Sequence, residues 1–157
     1  MPQIRKYADA MSVAAAAADS ALDLIAETLS DQDEFHLMVT GGTVGIATLA
    51  AIASNPKVAS IDFGRVHFWW GDERFVASGH ADRNEQQATD ALLSKLWVPA
   101  ANLHKFPAAD NGLTLDEAVA VFESELASQT SAGERLPRFD LAFMGMGPDG
   151  HVASLFP

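Results

Sequence analysis

Three short apolar runs, Phe35–Thr40, Val66–Trp70 and Phe139–Met144, each give way to glycine, at Gly41-Gly42, Gly71 and Gly145. The stretches between them carry helical patterns. After the first turn, Val44, Ile46, Leu49 and Ile52 mark a helix that Asn55-Pro56 closes. Strands alternating with helices predict a three-layer α/β sandwich around a mainly parallel sheet. Val66–Trp70 is bulky at every position, as suits a strand covered on both faces, so Trp69 and Trp70 are read as core. In a parallel sheet the loops that follow strands lie at one edge, and open α/β sheets bind ligands there. The three glycine turns are therefore expected to converge on one site.

The other elements follow from periodicity and capping. Asp9 to Leu29 reads as an amphipathic helix with Met11, Ala15, Ala18, Leu22, Ile25 and Leu29 in one stripe. Asp19, Asp23 and Glu27 form its wet face and carry no chemistry. Asp82 and Glu85 have the spacing of a capping box, with Arg83 as a surface residue of the first turn. Ala88, Leu92 and Leu96 give that helix its buried face, and Pro99 stops it. Asn102–Phe106 reads as a short strand, and Thr114 with Glu117 as a second capping box opening a helix through Ala118, Val121, Phe122 and Leu126. Ser128–Arg138 is polar and reads as loop. No repeat or linker is visible, so residues 1–157 are taken as a single α/β domain.

Charge narrows the partners. A net charge of −11 over 157 residues argues against nucleic acid or an anionic membrane surface. No uncharged apolar run reaches membrane-spanning length, and Met1–Lys6 lacks the apolar core of a secretory signal, so a cytoplasmic location is expected. The chain has no cysteine, which removes disulfides and thiolate metal sites. An anionic ligand would be repelled by the overall field. It must be held locally, by backbone N–H groups and a few aimed arginines.

The three turns offer such devices. Strand, Gly41-Gly42-Thr43, helix is the layout that turns helix-start N–H groups toward an anion, although glycine here also serves plain sterics. Thr43 can cap the helix or give its hydroxyl to a phosphate oxygen. The three spaced glycines of a dinucleotide fingerprint are missing. Gly71-Asp72-Glu73-Arg74 ends the second strand as a solvated loop with an internal salt bridge, or as part of a pocket. The third turn, Gly145-Met146-Gly147-Pro148-Asp149-Gly150-His151, presents an imidazole, whose ordinary pKa of ~6.5 suits proton transfer at neutral pH. Asp149 can fix its tautomer. His36, His67, His80 and His104 show no metal-ligand spacing and are read as structural or surface residues, so no metal is expected.

Gly145–Pro157 resembles the signature of the 6-phosphogluconolactonases, and the motifs at Thr40–Thr43 and Gly71–Arg74 agree with that family in order and spacing. The resemblance implies a Rossmann-like sandwich shared with sugar-phosphate isomerases and deaminases. It also implies hydrolysis of 6-phospho-D-glucono-1,5-lactone to 6-phosphogluconate, the second step of the oxidative pentose phosphate pathway. His151 would be the general base supported by Asp149, with Gly41, Gly42, Thr43, Asp72, Arg74, Asn84, Gly147 and Gly150 binding substrate or phosphate. No cofactor is implied, and the partner is the small-molecule lactone. Oligomeric state is left open.

This chain departs from the family's Ser-Gly-Gly-Ser-Thr-Pro type loop, with Thr40, Thr43, Val44 and Gly45 in place of Ser, Ser, Thr and Pro. Val76-Ala77 stands where Val-Pro is usual, and Arg83-Asn84 where Ser-Asn is. Family members continue beyond this point, and the apolar stop Leu155-Phe156-Pro157 reads as the end of an amino-terminal portion, incomplete on its C-terminal side. Two alternatives remain. A glucosamine-6-phosphate deaminase or isomerase would carry Asn-Glu-Pro where Leu155-Phe156-Pro157 stands. A non-catalytic sugar-phosphate binder would hold 6-phosphogluconate without turning over lactone.

Overall fold

The structure is a computed structural model that describes residues 2–130, 134 and 136–157. Among these residues four parallel strands form one sheet in the order β3-β2-β1-β4: β1 Phe35–Val39, β2 Val66–Trp70, β3 Leu103–His104 and β4 Leu141–Ala142. Helices α1 (Ala10–Asp31), α2 (Gly42–Ser54), α3 (Asn84–Ala91) and α4 (Leu115–Ser128) alternate with them, as expected of an α/β sandwich. Phe35, Leu37, Val39, Val66, Phe68 and Trp70 face one way and build the main core with Leu22 and Ile25 of α1, Leu49 and Ile52 of α2 and Ala88 of α3. All five β2 residues are buried, because α4 covers the other face with Phe122 edge-on to Trp69. Among the described residues no helix is long and apolar enough to cross a membrane.

Several expectations need correction. The buried stripe of α1 runs through Ala14, Ala18, Ala21, Leu22 and Ile25, while Met11 and Ala15 are exposed. Both sets fit one face of a 3.6-residue period and share Ala18, Leu22 and Ile25; the buried face is turned toward Ala14 and Ala21, away from Met11 and Ala15. Asp19 and Asp23 do lie on the wet face, where both pair with Lys57 Nζ at 2.8 and 2.6 Å. Helix α3 ends at Ala91, and a 3-10 turn over Leu93–Lys95 carries the chain on to Leu96. The capping box at Thr114 and Glu117 is present. The one at Asp82 and Glu85 is not: Arg83 is the N-cap and makes no side-chain cap bond. Of the loop expected over Ser128–Arg138, Ser131–Gly133 and Arg135 lie outside the described residues.

The strand expected over Phe139–Met144 is shorter and less buried than its apolar sequence suggested. Among the described residues only Leu141 and Ala142 pair, and only with β1; Leu141 is half-buried and Ala142 exposed. Backbone bonds Asp140 N→His36 O and Phe143 N→Met38 O hold the run against β1 at 3.0 and 2.9 Å. Among the described residues nothing pairs with its other edge, so half of its hydrogen-bonding groups face outward.

The histidines expected to be structural form a stack that sequence spacing hid. His36, His67 and His104 lie on the α4 face of three adjacent strands, with His67 4.7 Å from His36 and 5.1 Å from His104, ring to ring. Trp69 Nε1–H donates to His36 Nδ1, which leaves the His36 proton on Nε2. His104 Nδ1–H meets the Glu125 carboxylate at 2.6 Å, so its Nε2 accepts from His67 Nδ1 at 2.9 Å. The Nε2 atoms of His36 and His67 both turn toward the Glu34 carboxylate, at 3.8 and 3.6 Å. His80 is exposed.

Candidate functional site

The C-terminal ends of β1, β2 and β4 deliver the three glycine turns to a common edge, tied at its base by Gly71 N→Val39 O at 3.1 Å. Between them lies a cavity of about 570 Å³. Of the residues singled out in the sequence, Gly41, Gly42, Thr43, Asp72, Arg74, Asn84, Gly147 and His151 line it. Asp149 and Gly150 do not. Asp149 stands behind the ring, and Gly150 is the left-handed corner of the turn at φ 90°. Thr40 and Gly145, the first residues of their motifs, line the cavity too, as does Ala153, which had been given no role.

Gly41 is the N-cap of α2 and offers no side-chain cap bond. The N–H groups of the first helical turn therefore open toward the cavity with no internal acceptor, the arrangement that favours an anion. Thr43 lies inside the helix rather than at its cap, so its hydroxyl is not used there. Gly41 is required by contact: a Cβ there would meet the Asn84 amide oxygen at 2.0 Å. The first turn and the start of α3 are packed backbone to side chain.

The charged loop Asp72–Arg74 proves to be a bracket for α3. The Glu73 side chain is 3% exposed, and its carboxylate accepts from the backbone N–H of Arg74, Asn84 and Glu85 at 2.8, 2.7 and 2.9 Å. It thereby caps α3 from a distance, in place of Asp82. Arg83, expected at the surface, is 1% exposed. Its guanidinium donates to Phe106 O at 2.8 Å and lies 3.8 Å from Glu73 and 3.5 Å from Glu85. Adjacent carboxylates and free carbonyls drew this cation inward, a signal that spacing along the chain does not carry. Asn84 Nδ2 donates to the Asp72 carbonyl and carboxylate at 3.0 and 3.2 Å, and Arg74 Nη1 reaches the Asn84 amide oxygen at 3.4 Å. Arg74 is exposed at the rim and is the one Lys or Arg among the cavity's lining residues.

In the third turn, His151 Nδ1 is hydrogen-bonded to Asp149 Oδ1. That bond is the main reason the Asp149 carboxyl is held below the usual carboxylate range. With Asp149 ionised, Nδ1 carries the proton and Nε2 the lone pair. The ring lies directly on Gly147, where a Cβ would fall 2.1 Å from Cε1, and Phe156 sits 4.9 Å from it on another side. The turn closes on itself through Gly147 N→His151 O at 2.8 Å and Gly150 N→Gly147 O at 3.0 Å. The assembled site holds one oriented imidazole, one exposed guanidinium and one uncapped helix start around a single cavity. That set can bind an anion at one end of a small molecule and move a proton at the other. Among the described residues no group of three or more His, Asp or Glu side chains is arranged to hold a metal ion.

Comparison with known proteins gives this geometry a family. Residues 8–157 match the model of "Glucosamine-6-phosphate isomerases/6-phosphogluconolactonase". The chain is 37% identical over 153 residues to the 6-phosphogluconolactonase of Mycobacterium leprae, covering 96% of this chain and 61% of the relative. It is 36% identical over 160 residues to that of Streptomyces coelicolor, covering 99% and 61%. The structure of the 6-phosphogluconolactonase of Trypanosoma brucei superposes with a TM-score of 0.80 at 26% identity, over 100% of this chain and 64% of that one. The chain thus spans about three fifths of the length of the relatives it matches. It belongs to the glucosamine-6-phosphate isomerase/6-phosphogluconolactonase family.

Proposed function

We propose that this chain carries the catalytic turn and part of the phosphate site of a 6-phosphogluconolactonase, hydrolysing 6-phospho-D-glucono-1,5-lactone to 6-phosphogluconate. The observation that supports it most is His151: its Nδ1 is bonded to Asp149 while the ring borders the cavity that also receives the start of α2. The lactone's phosphate sits at the first turn of α2 over Gly41, Gly42 and Thr43, with Arg74 closing on it from the rim. Asp72 and Asn84 keep Arg74 and the sugar hydroxyls in register. His151 Nε2 takes a proton from water as the water oxygen attacks the lactone carbonyl. The carbonyl π electrons move onto oxygen, where backbone N–H groups of the Gly145–Gly150 turn receive the charge. The intermediate then collapses, the ring C–O bond breaks, and the imidazolium returns its proton to the departing ring oxygen. Asp149 steadies the cation between the two transfers. None of these steps calls for a metal or cofactor, and the reaction suits a cytoplasmic enzyme with a small-molecule partner.

The deaminase alternative needs a carboxylate just past the histidine turn. Leu155 and Phe156 occupy that place, and Phe156 lies against the His151 ring. A lactone-decay assay on the intact protein tests the reading. His151→Ala should lower kcat at least 100-fold with little change in KM, and Arg74→Ala should raise KM for the phosphorylated lactone more than for an unphosphorylated one. Unchanged turnover in His151→Ala overturns it, and binding of 6-phosphogluconate without any lactone decay leaves the non-catalytic binder.

A further inference from the structure

Among the described residues the histidine turn has few ties to the rest of the chain. It leaves a two-residue strand paired on one side, and Met144, Met146, Leu155 and Phe156 are all exposed. Its backbone bonds are internal: Gly147 with His151, Gly150 with Gly147, and a mutual pair between Val152 and Leu155 at 3.2 and 3.0 Å. Among the described residues, one hydrogen bond leaves the segment 144–157 for the rest of the molecule. Ser154 Oγ–H donates to Asp72 Oδ2 at 2.7 Å.

The chain bends sharply to make that contact. The Val152–Leu155 pair closes a two-residue hairpin with Ala153 and Ser154 at its tip. Ala153 takes φ 53°, the one positive φ of a non-glycine residue among the described residues. The first central position of such a hairpin ordinarily belongs to glycine, and a side chain there is tolerated only when its surroundings hold it. The acceptor, by contrast, is rigid. Asp72 is gripped through its carbonyl and its other carboxylate oxygen by Asn84, at the start of a helix whose N–H groups Glu73 caps.

From this juxtaposition we propose that Ser154 is a positioning residue: its hydroxyl clasps the histidine turn to Asp72 and so sets the distance between His151 and the anion end of the cavity. The role rests on the lactonase reading for its kinetic consequence and on geometry alone for its structural one. His151's own tautomer is fixed within the turn by Asp149, so loss of the clasp leaves the base chemically intact but misplaced. A phosphate held by α2 and Arg74 would still bind. Its carbonyl would meet the base less often in line, and a displacement near 1 Å is worth up to about 100-fold in rate.

The test uses the intact protein in two arms. Deuterium exchange compares wild type with Ser154→Ala: peptides within 144–157 should exchange at least about fivefold faster while those of β1 and β2 are unchanged. Kinetics should show kcat down about tenfold, KM within twofold, and the pH profile of kcat unshifted, with Ser154→Thr restoring kcat to within threefold. A loss confined to KM, an unchanged kcat, or unchanged exchange in 144–157 overturns the proposal. If wild type hydrolyses no lactone, the lactonase reading fails by itself, and the exchange arm still decides whether the clasp exists.

Discussion

Replacing Gly147 with alanine isolates the placement of His151 from everything else in the site. The backbone at Gly147 is not in the left-handed region, so alanine brings no conformational strain there. What it brings is a methyl group under the imidazole. The added Cβ would lie 2.1 Å from His151 Cε1, 2.3 Å from Nδ1 and 2.7 Å from Nε2. Carbon atoms rest at about 3.5 Å, so the ring must withdraw by roughly 1.4 Å. It cannot do so and keep its bond to Asp149, which is also the bond that fixes the tautomer. A shift of that size costs about 100-fold in kcat, or about 2.7 kcal/mol of transition-state stabilisation. Steady-state lactone hydrolysis with thermal melting as control reads it: kcat falls about 100-fold, KM moves less than threefold, and Tm stays within 2 °C of wild type because the turn is largely exposed. Gly150→Ala is the contrasting variant. Its Cβ would meet only Pro157 at 3.9 Å, but φ 90° forces strain, so it should lower stability of the turn without a direct push on the ring. A Gly147→Ala enzyme with wild-type kcat would refute the placement of the imidazole over that glycine.

Two further perturbations address the frame around the site. Arg83→Ala removes the cation beside a 3%-exposed carboxylate, Glu73, and should destabilise by about 3 kcal/mol. In a chain this size that is a Tm drop of roughly 6–12 °C, and a surface-like change within 2 °C would contradict the buried role. The histidine ladder makes stability depend on pH. Burial is the main cause holding the His36 and His67 pKa values below the ordinary range, against partial compensation from Glu34 and, for His36, Asp140. The unfolded chain therefore binds protons first: stability is intact above the unfolded value near ~6.5 and declines as pH falls toward the folded values. Urea denaturation at pH 7.5 and 5.5 should show lower stability at 5.5, and His67→Gln should shrink that difference; an equal difference in the variant would remove the ladder from the explanation.

What the sequence disclosed and what it withheld divide along physical lines. Local pattern sufficed where one segment determines its own structure: Val66–Trp70 is a strand buried on both faces, and Thr114 with Glu117 caps α4 as its spacing requires. The convergence of three turns on one edge followed from parallel pairing alone. Burial of Arg83 did not, because its partners Glu73 and the Phe106 carbonyl come from two other loops. The capping role of Glu73 was likewise invisible. A carboxylate eleven residues away serves the helix as well as one at the N-cap, but only the fold brings it there. The His36–His67–His104 ladder is a cross-strand effect, set by register and not by spacing. Phe139–Met144 has the composition of a covered strand, and among the described residues Leu141 and Ala142 of it pair with β1.

The departures from the family's first loop become connected once packed. In the sequence, Thr40 and Gly45 are separate departures, standing where the family has serine and proline. In the structure they touch: a Cβ on Gly45 would lie 2.7 Å from the Thr40 carbonyl oxygen and 2.9 Å from its Cγ2 methyl. That methyl is the atom by which threonine exceeds serine, and it occupies space that any side chain at 45 would need. The turn is therefore filled from the strand side instead of the helix side. Thr40 in turn reaches toward the third loop, its Cγ2 and Oγ1 each 4.0 Å from where a Cβ on Gly145 would stand. The first turn is tightened by packing where proline would have stiffened it, which keeps the N–H groups of α2 in place for the proposed phosphate in a chain carrying a net charge of −11.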